Sequence, residues 1–496
     1  MSVIVLHEGD DVGVARRDLS PGEEAGGVTV RGPVPSGHKL SLRAVPRGAP
    51  VRKYGQPIGL ATRDLRAGEH VHVGELSVPE GLADAEPGQA ADLPPLDWHP
   101  TFEGYRRASG RVGTRNYVGV LTTVNCSATV ARQVARRAEA HLPPGVDGVV
   151  PLTHTTGCGT AASGPGIDNL RRTLAGFATH PNFAGVLIVG LGCEANQMDP
   201  LLATQDLTPS PTLRTLGIQE AGGTLAAIER GVAHLRELMD LAAEARRETV
   251  PASHLTLALQ CGGSDAWSGV TANPSLGACA DLLVRAGGTV VLAETPEVYG
   301  AEALLLRRAE SRAVADALLE RLRWWERYVA ANGQALNNNP SPGNLAGGLS
   351  TILEKSLGAV AKSGTAPLRG VYRYGQRIDR SGFVFMDSPG YDPCSITGEV
   401  ASGANLVCFT TGRGSVFGGK PVPSLKIASN DALARDMEPD IDLSAAAVAD
   451  GTETTAEVGR RLFDLALATA SGQPSKSEAL GFGDFEFVPW QIGATV

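Results

Sequence analysis

Four of the chain's seven cysteines stand where a metal ion or a small polar ligand could bind. Each follows a run typical of a buried strand and lies in a loop that contains glycine: Cys126, Cys158, Cys193 and Cys261. Glu194, Glu294 and Glu297 stand at equivalent strand ends. Ligands of open α/β sheets bind beyond the carboxyl ends of the strands, and glycine lets the backbone approach them closely. We therefore predict a ligand site built from thiol and carboxylate groups.

These residue types favour a divalent transition metal, with Fe(II), Mn(II) and Zn(II) all open. The predicted ligands are drawn from one pool: Cys126, Cys158, Cys193, Glu194, Cys261 and Glu294. The sequence has no CxxC pair and no HExxH motif, which disfavours a zinc ribbon. Scattered cysteines can also hold an iron–sulfur cluster, and we keep that as the alternative cofactor. Cys279 and Cys408 lie inside a predicted helix and strand, where packing alone accounts for them.

Proton transfer and substrate binding need further groups in the same loops. His154 opens a Thr-Thr-Gly-Cys loop and is our first general base, and Lys355 is the second. Arg413 lies between two glycines after a strand and is the predicted carboxylate clamp. His70 and His72 are two residues apart, so they share one face of a strand. The predicted substrate-binding residues are Asn125, Ser264, Asp265, Asn273, Asn344, Lys426 and His72.

The elements that position these groups divide the chain into four parts. Residues 1–78 are short β-rich runs with turn signals, which predict a small β domain. Residues 79–100 form an acidic, proline-rich linker. From residue 116 the pattern becomes strand, glycine-rich loop and helix, repeated, which predicts mostly parallel sheets with helices on their faces. We assign residues 101–250 and 251–496 to two α/β regions, so the predicted fold class is multidomain α/β.

Composition excludes several classes of protein. The 496 residues are enough for two to four domains. The net charge is −9, from 44 Lys and Arg against 53 Asp and Glu, which argues against a nucleic-acid partner. No run approaches the length of a membrane span, and the start lacks the basic region of a signal peptide, so we expect a cytoplasmic protein with no membrane partner. Seven cysteines are too few and too scattered for a secreted disulfide framework.

Eight motifs in order resemble the altronate/galactarate dehydratase family. They are GYRRASGRVGTRNYV at 104–118, NCS at 125–127, HTTGCG at 154–159, GLGCE at 190–194, QCGGSDAWSGVTANP at 260–274, ETPEVYGAE at 294–302, NPSPGN at 339–344 and FTTGRG at 409–414. The N-terminal segment resembles the SAF domain of that family, a compact β-clip fold. The family's altronate pattern has a further histidine-asparagine pair after HVH, where this chain has Gly74 and Glu75. That departure weakens the expectation that this domain supplies three imidazoles.

The resemblance implies a metal-dependent hydro-lyase, with iron or manganese expected. Such an enzyme removes water from a sugar acid to give a 2-keto-3-deoxy acid. ETPEVYGAE and IQEAGGT look more like the altronate branch, so D-altronate is favoured over galactarate, and another aldonate stays open. Enzymes that split sulfolactate look similar as well.

In the expected reaction a base takes the C2 proton, the C3 hydroxyl departs, and a bound cation offsets the developing charge. The competing class is a regulator that binds a sugar acid without turnover, because the SAF-like segment alone could act as a binding module. A homo-oligomer is possible for either class.

Overall fold

The computed structural model describes residues 2–79, 81–82, 85–88 and 90–495. The N-terminal β domain consists of short antiparallel strands: β1 (Val3–Ile4), β2 (Val12–Ala15), β3 (Glu24–Ala25), β4 (Val28–Thr29), β5 (Lys39–Ser41), β6 (Pro50–Lys53), β7 (Gln56–Ala61), β8 (His70–Val71) and β9 (Leu76–Ser77). They form one sheet of order β1-β2-β5-β8, a second of order β6-β7-β9, and the β3-β4 hairpin. Part of this domain has a small core of its own around Val3, Leu19 and Leu40, whereas Val51 and Ile58 belong to the main core that the domain shares with the C-terminal region.

The middle region is built on a four-stranded sheet, all parallel, of order β13-β12-β14-β15. Its elements are β10 (Thr101–Arg106), β11 (Val112–Gly113), β12 (Tyr117–Thr122), α1 (Ala128–Glu139), β13 (Gly148–Leu152), α2 (Pro165–Ala178), β14 (Phe183–Gly190), α3 (Met198–Thr204), β15 (Leu213–Gly217), α4 (Thr224–Glu244) and β16 (Glu248–Pro251). Helices α1 and α4 pack on one face and α2 on the other. Every residue of β12 is buried, as expected for a strand covered on both faces.

The C-terminal region is built on a seven-stranded parallel sheet of order β19-β20-β18-β17-β21-β22-β23. Its strands are β17 (Thr256–Cys261), β18 (Thr289–Leu292), β19 (Leu368–Tyr372), β20 (Gly382–Met386), β21 (Leu406–Thr411), β22 (Ser424–Ala428) and β23 (Leu443–Ser444). Its helices are α5 (Ala272–Arg285), α6 (Glu302–Leu306), α7 (Arg312–Ala331), α8 (Pro342–Ala346), α9 (Ile352–Ala361), α10 (Asp392–Ser402), α11 (Asp431–Asp436), α12 (Ala447–Asp450), α13 (Thr455–Ala470) and α14 (Lys476–Ala479). The predicted fold class, a small β domain followed by α/β regions with mostly parallel sheets, is confirmed.

The two α/β regions share a core, because α2 of the middle region packs against α10 of the C-terminal region. A Cβ added at Gly176 would lie 2.2 Å from the Ala401 carbonyl oxygen, so a glycine is needed where these helices meet. A sheet of order β11-β10-β16 adds a second connection. Strand β16, which pairs with β10, runs across the predicted boundary at residue 250.

The predicted linker contains no helix or strand among its described residues; Glu80, Ala83, Asp84 and Gln89 lie outside them. It follows the surface of the C-terminal region. Gly88 N donates to the Ala309 carbonyl at 2.8 Å, and Leu82, Leu93 and Trp98 pack against the main core. The chain therefore anchors this segment rather than leaving it wholly in solvent.

The N-terminal domain docks on helix α9 through buried charge. Lys39 and Lys53 each place an ammonium 2.8 Å from the Glu354 carboxylate, and Thr351 Oγ1 donates to the Ile58 carbonyl at 2.6 Å. No helix in the described part of the chain is both long and apolar enough to cross a membrane.

Candidate active site

Three buried ligand-type residues meet at the carboxyl end of the seven-stranded sheet. Cys261 is the last residue of β17, and Glu294 and Glu297 follow β18. One Sγ and two carboxylate oxygens from these side chains all lie within 4.8 Å of one another. We call this group the acidic cluster. The strands are neighbours and parallel, so their ends bring together residues that are more than thirty positions apart.

Glu294 is held in a strained conformation. Its φ is +67°, in the left-handed region that non-glycine residues seldom adopt. Its backbone N–H donates to Ser388 Oγ at 2.9 Å, which ties it to the end of β20. Both of its carboxyl oxygens are buried without a hydrogen-bond partner. Burial, together with the neighbouring Glu297, raises the pKa of Glu294 well above its usual range.

Two lysines border the acidic cluster. Lys355 Nζ lies 2.8 Å from Glu297 Oε1, and Asn339 Nδ2 donates to the same oxygen at 2.9 Å. Lys362 Nζ donates to Cys261 Sγ at 3.0 Å and lies 4.0 Å from the Glu294 carboxylate. Burial opposes the ionisation of Glu297, but the ammonium of Lys355 outweighs it and lowers the pKa of Glu297. Burial raises the pKa of the Cys261 thiol to about 11, despite the nearby Lys362.

The acidic cluster opens into a cavity of about 430 Å³. Cys261, Glu297, Lys355 and Asp392 contribute to its wall. Asp392 is the first residue of α10, and its Oδ2 would lie only 2.0 Å from a Cβ added at Gly262, so that glycine makes room for the carboxyl group. Burial, followed by the charge of Glu297, raises the pKa of Asp392 to about 6. A cavity of this size with polar groups on its wall suits a small polar molecule.

The donor set of the acidic cluster fits a divalent transition metal. A thiolate and two carboxylates are ligands for Fe(II), Mn(II) or Zn(II). Neither carboxyl oxygen of Glu294 has a hydrogen-bond partner, so both can bind a cation. A buried carboxylate without partners is costly, and a bound cation would remove that cost. The residues present therefore fit the ion that the sequence leads us to expect.

A second group with metal-ligand chemistry lies in the N-terminal domain. His38, His70 and His72 form this imidazole cluster, with ring nitrogens within 4.8 Å of one another. His38 Nδ1 lies 3.0 Å from His70 Nε2, and His72 Nδ1 is buried without a partner. The Gly74–Glu75 departure weakened the expectation of three imidazoles in this domain, yet His38 beside β5 supplies a third from outside the HVH segment. Burial, and then the charge of Lys39, lowers the pKa of His72 to about 4.

Arg413 lies on a different cavity, of about 990 Å³, between the N-terminal domain and the C-terminal region. Arg16, Arg17 and Asp265 also contribute to that wall. A Cβ added at Gly263, which borders the smaller cavity, would lie 3.3 Å from Arg413 Cβ. Arg413 is therefore a neighbour of the acidic cluster's cavity but does not line it.

Several predicted substrate-binding side chains are occupied by contacts inside the protein. Asp265 accepts hydrogen bonds from Ser268, Ser429 and Asn430, and Asn344 Nδ2 donates to the Ser264 carbonyl at 2.7 Å. Asn273 Nδ2 donates to Gly358 O at 2.9 Å and its Oδ1 accepts from Thr410. Lys426 Nζ donates to Phe417 O and Ser477 Oγ. Of this set only Asn344 lines the smaller cavity, and the substrate-binding assignments stay predictions.

The remaining predicted residues gather at the carboxyl end of the four-stranded sheet: Asn125, Cys126, His154, Cys158, Cys193 and Glu194. The single predicted ligand pool is thus divided between two sheets. His154 is buried, with Nε2 2.9 Å from the Thr122 carbonyl and Nδ1 accepting from Thr156 N at 3.3 Å. Burial lowers the pKa of His154 to about 4. Its assignment as a base stays a prediction, and this geometry gives it no free nitrogen.

Sequence reasoning left four residues of these sites out of its predicted site residues. Lys362 and Asp392 border the acidic cluster, Glu297 belongs to it although it was left out of the predicted ligand pool, and His38 completes the imidazole cluster. The sequence could have identified Glu297 as a ligand, because it lies three residues after Glu294 and one helical turn brings the two side chains together. Nothing local in the sequence marks Asp392 or His38.

Comparison with known proteins places the chain in a family. Family models match it in order: the altronate/galactarate dehydratase SAF domain at residues 1–79, the D-galactarate dehydratase/altronate hydrolase second domain at 104–243, and the D-galactarate/altronate dehydratase C-terminal domain at 252–495. Altronate dehydratase of Escherichia coli is 36% identical over 97% of this chain and 98% of its own length.

Altronate dehydratase of Bacillus subtilis is 36% identical over 95% of both chains. Galactarate dehydratase (L-threo-forming) of Escherichia coli is 38% identical over 95% of this chain and 93% of its own. Identity at this level along nearly the whole length goes beyond a shared fold. The chain therefore belongs to the altronate/galactarate dehydratase family of hydro-lyases.

Proposed function

We propose that this protein is a metal-dependent dehydratase that converts a sugar acid, D-altronate before galactarate, to a 2-keto-3-deoxy sugar acid. The observation that carries the proposal is the pair of buried, unpartnered oxygens of Glu294 beside Cys261 and Glu297. The altronate preference rests on the ETPEVYGAE and IQEAGGT segments. Fe(II) and Mn(II) are the favoured ions.

Cys261, Glu294 and Glu297 would hold the ion, and a bound divalent cation offsets the negative charge that develops when C2 loses its proton. Asp392 stands at the cavity wall and accepts the C2 proton. Lys355 lines the same wall, carries an ammonium group, and supplies the proton with which the C3 hydroxyl leaves as water. The enol that remains becomes the 2-keto product. Asn339 keeps Glu297 oriented through its amide.

The walls of the site also serve the chemistry. Glu294 and Cys261 are buried, so charge on the substrate is met by fixed protein groups rather than by water. Lys362, hydrogen-bonded to Cys261 Sγ, keeps positive charge beside the thiolate that metal binding requires. Arg413 lines the neighbouring larger cavity, so its assignment as a carboxylate clamp stays a prediction.

The imidazole cluster is the competing place for the ion, because three neutral imidazoles also suit Fe(II) or Mn(II). We favour the acidic cluster because it borders a cavity that also carries Asp392 and Lys355, whereas none of the three histidines lines either cavity described here.

The test combines ion binding with turnover. Metal-free protein is titrated with Mn(II), and free Mn(II) is measured by electron paramagnetic resonance. The loaded protein is then assayed for 2-keto-3-deoxy acid with altronate, galactarate and other aldonates. We expect Glu294→Gln to lose the tight Mn(II) site together with turnover, and His72→Gln to keep both.

Asp392→Asn should retain Mn(II) and sugar-acid binding but lose turnover by about 10²–10⁴-fold, the usual contribution of a general base. Loss of Mn(II) in His72→Gln with retention in Glu294→Gln would move the ion to the imidazole cluster. Tight sugar-acid binding with no turnover under any metal would instead favour the regulator.

A further inference from the structure

The three cysteines of the middle region are exposed, whereas Cys261, Cys279, Cys394 and Cys408 are all buried. Unpaired cysteine is among the residue types most often found buried. Cys126, Cys158 and Cys193 depart from that tendency together, and each follows a neighbouring strand of one parallel sheet: β12, β13 and β14. We call the segments 123–127, 153–159 and 191–196 that carry them the thiol loops.

Direct hydrogen bonds join the thiol loops to one another. Asn125 N donates to the Thr156 carbonyl at 3.0 Å. Asn125 directly precedes Cys126, and Thr156 lies two residues before Cys158. Asn196 N donates to the Gly157 carbonyl at 3.0 Å, and its side-chain amide donates to Thr123 O at 3.1 Å. The three thiols are therefore presented from one connected surface.

A buried polar layer beneath the surface fixes the loops. Glu194, next to Cys193, accepts hydrogen bonds from Leu191 N, Gly192 N and Thr123 Oγ1. His154 bonds the Thr122 carbonyl at the end of β12 through Nε2 and accepts from Thr156 N of its own loop through Nδ1. Gly157 has φ +100°, and a Cβ there would lie 2.3 Å from the Thr123 carbonyl oxygen, so the loop before Cys158 packs directly on the loop before Cys126. Such support holds metal-ligating side chains in place.

The three sulfurs are not close enough to share a single ion in this arrangement. Within the described residues, the groups of ligand atoms that lie within 4.8 Å of one another are the imidazole and acidic clusters, and the three sulfurs do not form such a group. One ion bound by all three would therefore need the loops to move, whereas a cluster spreads its thiolates over several irons. Gln219 Nε2 already lies 3.7 Å from Cys193 Sγ, in position to donate to a ligating sulfur.

We propose that Cys126, Cys158 and Cys193 bind a cubane iron–sulfur cluster, with one iron left without a protein thiolate. Fe–S clusters are usually held by four cysteine thiolates, so a three-thiolate site leaves a coordination position open to water or to a hydroxyl or carboxylate of a small molecule. The site is separate from the acidic cluster, because it lies at the end of a different sheet and uses none of the same residues. It therefore stands or falls independently of the proposed function.

The test reconstitutes the full chain anaerobically with Fe(II), Fe(III) and sulfide, and then measures iron, acid-labile sulfide, visible absorption and the paramagnetic signal after reduction. The parent should gain about four irons and four sulfides per chain. Cys126→Ser, Cys158→Ser and Cys193→Ser should each lose most of both while unfolding at the parental temperature, since these side chains are exposed. Cys279→Ala and Glu294→Gln are the matched controls and should keep the full cluster.

A thiol-reactive dye gives a second readout. Folded protein without iron should react at three thiols, and reconstitution should protect all three. A parent that takes up no sulfide, or a single zinc ion in its place, would overturn the proposal. So would a serine variant with parental iron and sulfide, or loss of the cluster in Glu294→Gln but not in the serine variants, which would assign the iron to the acidic cluster.

Discussion

Two buried glutamates, Glu354 in helix α9 and Glu294 near the same helix, have contrasting surroundings. Glu354 faces the N-terminal domain and accepts from Lys53, Lys39 and Ser350, so both of its oxygens are bonded. Glu294 lies near Lys355 and Lys362 of the same helical segment, and neither of its oxygens has a hydrogen bond. Both side chains are about 1% exposed, so burial does not distinguish them.

The two glutamates differ in their hydrogen-bond partners, and we infer a structural role for Glu354 and a ligand-binding role for Glu294 from that difference. The lysines outweigh burial and lower the pKa of Glu354, whereas burial raises the pKa of Glu294 well above its usual range. A fully bonded carboxylate has nothing left for a ligand, and here it fastens one domain to another. A carboxylate without partners is a cost to the fold that a ligand can remove. The same substitution should therefore change the free energy of unfolding much more at Glu354 than at Glu294.

The largest expected effect comes from Glu354→Gln in metal-free protein. The change leaves two buried ammonium groups without their carboxylate, so we expect the free energy of unfolding to fall by about 3–5 kcal/mol. Glu294→Gln breaks no hydrogen bond and should change it by less than about 1 kcal/mol. Urea denaturation of both variants with a chelator present makes the comparison, and equal losses would contradict it.

The contribution of Glu354 also has a predicted pH dependence. Its folded-state pKa is lowered, so the stabilisation is present above the ordinary glutamate pKa of about 4.3 and is lost as the pH falls towards the folded pKa. The difference in unfolding free energy between parent and Glu354→Gln should thus be constant from pH 8 to about pH 5. It should shrink below that. A difference that already changed between pH 8 and pH 6 would mean that another group supplies it.

The ion should stabilise the parent through Glu294. A ligand at a hundredfold excess over its dissociation constant adds about 2.7 kcal/mol to the free energy of unfolding. We expect Mn(II) to raise stability by that amount in the parent and in Glu354→Gln, and not in Glu294→Gln. The same gain in all three proteins would show that the ion binds elsewhere, and the imidazole cluster is then tested with His72→Gln.

Local patterns in the sequence account for most of the α/β fold. The buried-strand runs before Cys126 and Cys261 correspond to β12 and β17, because strands buried on both faces consist of continuous apolar residues. The alternating pattern likewise implied parallel sheets. Strand β16 was not predicted, since its pairing with β10 joins residues that are more than 140 positions apart.

The candidate site was only partly predictable, for a physical reason. Strand ends identify Cys261 and Glu294 as ligand-type residues, but they do not say which strands share a sheet, so Cys126 and Glu194 entered the same predicted pool. Glu354 was missed because a glutamate one position before Lys355 looks like any helical surface pair. Its burial depends on the N-terminal domain, which brings Lys39 from 315 positions away.

The smallest expected effect concerns the start of α9, the helix that carries both Glu354, which binds the N-terminal domain, and Lys355, which binds Glu297. Thr351 is its N-cap, with Oγ1 accepting from Glu354 N at 3.2 Å and donating to the Ile58 carbonyl at 2.6 Å. Thr351→Ala removes both bonds and should lower the free energy of unfolding by about 1 kcal/mol, as loss of a cap usually does. Thr351→Ser keeps the hydroxyl and is the matched control.

Mn(II) affinity should stay within about twofold of the parent in both Thr351 variants, because strands β17 and β18, not the cap, hold Cys261, Glu294 and Glu297 in place. If Mn(II) binding were weaker in Thr351→Ala but not in Thr351→Ser, α9 would couple domain docking to ion binding. The position of Glu354 and the affinity of the proposed ion site would then depend on each other.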